Sequence, residues 1–64
     1  MRDSARIPFY CTALQVAWNE VPDWRFGQLI ANFFRWLNAE KGIGDIFFLE
    51  DDKFFSYLEE YINH

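Results

Sequence analysis

Sixty-four residues form one domain at most, and a chain this short buries only roughly 60% of the surface its unfolded form exposes. With 52% hydrophobic side chains intrinsic disorder is excluded, and with one cysteine, Cys11, so is an internal disulfide. The net charge of −4 is lopsided: residues 1–36 stand at +1 and residues 37–64 at −5, an acidic half that repels a phosphate backbone and excludes ordinary nucleic-acid binding.

In chain order, residues 1–6 are polar and unpatterned and read as a flexible N-terminal tail, leaving 7–64 as a single helical domain. Pro8 suits the first turn of a helix, where its missing N–H costs nothing. The first predicted helix covers 8–20, because Tyr10, Ala13, Leu14, Ala17, Trp18 and Val21 recur at steps of three and four and make one apolar stripe. Phe9 and Val16, seven apart, fall outside that stripe beside Glu20, where they are candidates for a partner-facing contact.

Pro22 ends this helix, and Asp23 is placed to cap the next, predicted over 23–39. Phe26, Leu29, Ile30, Phe33, Phe34, Trp36 and Leu37 share a wide arc, while Trp24, Gln28, Ala31 and Arg35 point away. So broad an arc calls for two neighbours, which makes this the expected central helix. Gly27 costs about 1 kcal/mol inside a helix, and close approach of another backbone is the expected compensation. Arg25 opposes the helix dipole and is expected to pair with a carboxylate or a partner.

Gly42 and Gly44 mark a helix end and a loop. Ile46-Phe47-Phe48-Leu49 follows, an apolar run read as an irregular or briefly extended segment over 45–49. An irregular crossing tucks some rings into the core; a strand would need a second copy to pair with. Glu50-Asp51-Asp52 then opens the last predicted helix, 51–62, as a solvated acidic start favoured by the helix dipole. Its apolar face is Phe54, Phe55, Tyr57, Leu58, Tyr61 and Ile62. The fold class is all-α, a compact three-helix domain.

Pro22-Asp23-Trp24-Arg25-Phe26-Gly27-Gln28-Leu29-Ile30 resembles a motif of short uncharacterised bacterial and bacteriophage proteins. In that pattern an aromatic-rich stretch ending in Glu-Asp and a final acidic helix follow, as Asp45-Ile46-Phe47-Phe48-Leu49-Glu50-Asp51 does here. Trp24 and Phe26 stand where Leu is commoner, and Phe33–Lys41 looks like an insertion. The resemblance implies a phage or prophage setting and no particular activity.

Catalytic and metal signatures are sparse. Cys11 has no histidine near it in sequence, so it reads as a small buried or half-buried filler rather than a nucleophile. There is no phosphate-binding glycine loop, no C-x-x-C or H-E-x-x-H pair, and His64 is the lone histidine. No cofactor, metal or small-molecule substrate is expected. The longest apolar stretch is broken by Asn32 and Arg35, so no membrane span is expected. No signal-peptide core follows residues 1–6, and a soluble cytoplasmic protein is the expectation.

Eight Phe, three Tyr and three Trp, each able to bury about 150–250 Å², exceed what so small a core hides. The remainder should form an exposed apolar patch of the kind that marks binding surfaces. The expected function is therefore a non-enzymatic protein-interaction module that self-associates as a homodimer, with Phe9, Val16, Trp24, Arg25, Trp36, Phe47 and Phe48 as partner-binding residues. The alternative is an acidic inhibitor that mimics nucleic acid towards a host nucleic-acid-binding protein through Asp52, Glu59 and Glu60.

Overall fold

The three apolar stripes become three helices: α1 (Arg6–Asn19), α2 (Phe26–Lys41) and α3 (Asp51–Ile62), with a single 3-10 turn at Ile46–Phe48. The computed structural model describes residues 3–63. Met1 and Arg2 of the expected tail, and His64, lie outside the described residues. The all-α three-helix architecture matches the reading of the sequence, and no strand occurs among the described residues.

Helix boundaries follow local capping chemistry. Asp3 accepts the Ala5 N–H on its carboxylate (2.9 Å) and the Arg6 N–H on its carbonyl (3.2 Å), so α1 begins at Arg6, two residues before Pro8. At the other end, Trp18 Nε1 donates to the Trp24 carbonyl across the linker at 2.8 Å, satisfying a half-buried indole and tying down residues 20–25. The expected Asp23 cap is not formed. Arg25 is the N-cap instead, because Gln28 reaches back to accept its N–H at 2.8 Å, and α2 starts at Phe26. The helix then runs two residues past the expected end to Lys41. Gly42, at φ 68°, takes the left-handed conformation that ends it, with Gly42 N donating to the Asn38 carbonyl and Ile43 N to that of Leu37, each at 3.2 Å.

Five side chains form the buried centre: Ala17 of α1, Leu29, Phe33 and Leu37 of α2, and Leu58 of α3. A buried Phe or Leu contributes roughly 1.5–3 kcal/mol from area alone. Phe33 is surrounded by rings, edge-on to Phe54 with centroids 5.2 Å apart and tilted against Tyr61 at 5.9 Å. Phe54 and Tyr61 lie about two turns apart on α3, so Phe33 fills the space between successive turns of that helix. α2 packs on two elements, as its wide arc implied, but the expectation that it is the central helix is corrected. α2 supplies most of the buried side chains, but α3 is the helix in substantial contact with both α1 and α2. The wide arc of α2 meets α3 and the connecting segment, from which Ile43 and Ile46 pack on the core.

α1 and α3 run parallel. Arg6 meets Asp51 (Nε to Oδ2, 3.5 Å), and one turn later Tyr10 stacks on Phe55 (4.6 Å). Each helix advances by four residues between these contacts, which fixes direction and register together. The molecule measures 32 × 26 × 19 Å, and its short dimension is about two helix diameters. Among the described residues no third layer covers the α1–α3 face.

Candidate functional site

The open face is a groove of about 700 Å³ between α1 and α3. One wall is Phe9, Ala13, Val16 and Glu20; the other is Asp52, Phe55, Glu59 and Ile62. Both sets step at three and four residues, the spacing of a single helix face. The two parallel helices therefore present matched ridges to the same space for about three turns. The small side chains of Ala17 and Ser56 also line it. Phe9 and Val16 stay 67% and 59% exposed, as their position off the main stripe implied. Glu20, Asp52 and Glu59 stand on the rim, and among the described lining residues there is no Lys or Arg.

A second apolar feature sits near the amino-terminal ends of α1 and α3. Asp45 accepts the Phe47 N–H at 2.9 Å and so caps the 3-10 turn at Ile46–Phe48. The turn resolves the apolar run by length rather than by alternation. Ile46 and Leu49, three apart, are half-buried, while Phe47 and Phe48 project at 81% and 80% exposure as an edge-to-face pair 4.8 Å apart. The expectation that rings from this segment fill the core is corrected: the aliphatic ends turn inward and the rings turn outward. The pair adjoins a shallow notch formed with Arg6 and Asp51.

The other expected partner residues are placed differently. Trp36 is half-buried, packed against Phe33 and Tyr61 and roofed by Lys41, whose Nζ lies 5.5 Å from the indole centroid. Its Nε1 is buried without a hydrogen-bond partner among the described residues. Trp36 serves as a wall of the core. Trp24 is half-buried in the linker, and Arg25 is exposed at the α2 N-cap. Glu60 lies off the groove, 2.8 Å from Lys41 Nζ, so the three carboxylates of the acidic alternative do not share one face. The structure instead brings Asp52 and Glu59 together with Phe9 and Val16.

Two further expectations are corrected. Cys11 is exposed rather than a buried or half-buried filler. Gly27 is the second residue of α2, and a Cβ built there meets nothing within 4 Å. No backbone approaches it, so close packing does not explain it. Ile7 (52% exposed) and Phe26 (45%) were not singled out in the sequence as surface residues. Phe26 followed the α2 periodicity, but at the first turn of the helix it stays partly exposed, with its ring 5.4 Å from that of Trp18.

Among the described residues, no three His, Cys, Asp or Glu side chains are grouped to hold a metal ion, and no helix is long and apolar enough to cross a membrane. Comparison with protein-family models, curated proteins and solved structures finds no match. The functional reading therefore rests on the geometry.

Proposed function

We propose that this protein is a small non-enzymatic interaction module that self-associates through the Phe47–Phe48 pair. One observation carries the reading: two adjacent phenylalanines, each about four-fifths exposed, are held out together by a capped turn. A scattered surface apolar residue is ordinary, whereas adjacent exposed rings make a patch. Covering both on a second copy contributes roughly 1.5–3 kcal/mol per ring, before the cost of association. The turn is short and its ends are anchored by Ile46 and Leu49, so little ordering remains to be done on binding. Sedimentation equilibrium of the wild type beside Phe47→Ser/Phe48→Ser tests it.

The non-enzymatic reading is supported by the groove being open and mostly apolar. The exposed Cys11 thiol favours a reducing, cytoplasmic setting. The Pro22–Ile30 motif supports a phage or prophage origin. A second reading, an acidic inhibitor mimicking nucleic acid, draws on Asp52 and Glu59 flanking one face with Glu20. It is the weaker of the two, because Glu60 is engaged by Lys41.

A further inference from the structure

We propose that the α1–α3 groove seats a cationic amphipathic helix from a partner protein, with its apolar stripe on Phe9, Val16 and Phe55 and its Lys or Arg side chains against Glu20, Asp52 and Glu59. This rests on the interaction-module reading and assigns a second surface, with a different occupant, to the same module. Three features specify the occupant. The walls repeat at helical spacing on two parallel helices, so the complementary shape is a third helix set between their ridges. From Phe9 to Glu20 the wall runs eleven residues, about 16 Å at 1.5 Å per residue, which accommodates apolar anchors on three successive turns. Carboxylates stand on both sides with no Lys or Arg among the described lining residues, so a cationic flank is attracted and an acidic one repelled.

A second copy does not meet these requirements. Groove against groove sets the same carboxylates facing each other. The outward face of α2 carries Gln28, Ala31 and Arg35, which is polar and has no apolar stripe. Neither face supplies a cationic amphipathic helix, so the occupant assigned to the groove is a different chain.

The test uses the full-length protein and two synthetic helical peptides of equal length and identical leucine stripe, one flanked by lysines and one by glutamates. Binding is read by calorimetry and by NMR shift mapping. The lysine peptide should bind at least tenfold more tightly than the glutamate peptide, weaken as salt rises, and shift resonances of Ala13, Val16 and Phe55. Glu20→Lys/Glu59→Lys, at exposed positions, should reverse the preference, and Val16→Glu should abolish tight binding of the glutamate peptide to that charge-reversed protein. Equal binding of the two peptides, no binding of either, or shifts confined to Phe47 and Phe48 would overturn the proposal. Groove resonances that move with protein concentration alone would name a second copy as the occupant and also overturn it. Sedimentation of the same samples separates the two claims, since a dimer that binds neither peptide removes the groove assignment and leaves self-association standing.

Discussion

Tyr10 lies nearly flat on Phe55, ring centroids 4.6 Å apart and planes 13° from parallel, and this stack joins α1 to α3 one turn after the Arg6–Asp51 ion pair. It sets the register of the two helices and hence the spacing of the groove walls. Aromatic pairs of this kind contribute about 0.5–1.5 kcal/mol beyond the area they bury. A double-mutant cycle on Tyr10→Leu and Phe55→Leu, followed by urea unfolding, should return a coupling energy of about that size, 0.5–1.5 kcal/mol. A coupling indistinguishable from zero would mean that the parallel register is held elsewhere.

Two glycines should respond in opposite directions. Gly27 sits in the first turn of α2 with open space around it and no left-handed backbone. Gly27→Ala should stabilise the protein by about 0.5–1 kcal/mol, a rise in Tm on the order of 2–8 °C. Gly42 holds φ at 68°, which an L side chain resists, so Gly42→Ala should cost about 1–2 kcal/mol. Thermal melts followed by circular dichroism check both.

Leu58 is the one α3 side chain wholly within the core shared by Ala17, Phe33 and Leu37. Leu58→Ala should cost about 2–5 kcal/mol. A domain of this length has about 3–10 kcal/mol in all. Urea unfolding should therefore show a midpoint lowered by about a fifth or more, or no cooperative transition.

The ammonium of Lys41 lies 2.8 Å from Glu60 Oε2, with the rings of Trp36 and Tyr57 beneath it. Its hydrogen bond to Glu60 holds the Lys41 pKa above the ordinary lysine value. A folded-state pKa raised above the unfolded one contributes stability that is complete below the unfolded lysine pKa and lost as pH rises through the folded value. The window is thus alkaline. Glu60→Gln should move the Lys41 titration back towards the ordinary value, read by NMR of its side-chain ε carbon, and should flatten the alkaline limb of the stability curve.

The helical framework was legible in the sequence because burial follows periodicity. All six α1 stripe residues, Tyr10, Ala13, Leu14, Ala17, Trp18 and Val21, are buried or half-buried, as are all six on the α3 face. The start of α2 was misplaced because Asp23 has the better capping side chain in isolation. A glutamine three residues after Arg25 and the Trp18–Trp24 bond decide the matter through contacts that residue preference does not contain. The outward turn of Phe47 and Phe48 depends on the 3-10 geometry that Asp45 caps, which a four-residue apolar run leaves open. Phe9, Val16, Asp52 and Glu59 were each visible as off-core residues. Their convergence on one groove was hidden, since it requires α1 and α3 to be parallel and that register is a tertiary fact.

Self-association through Phe47 and Phe48 is tested most directly by sedimentation equilibrium at micromolar concentrations, comparing wild type with Phe47→Ser/Phe48→Ser. Both side chains are exposed, so the double variant should keep its helical circular dichroism. The wild type should sediment as a dimer, with a Tm that rises with concentration, and the double variant as a monomer. A wild type that stays monomeric throughout, or a dimer that survives both substitutions, would contradict it.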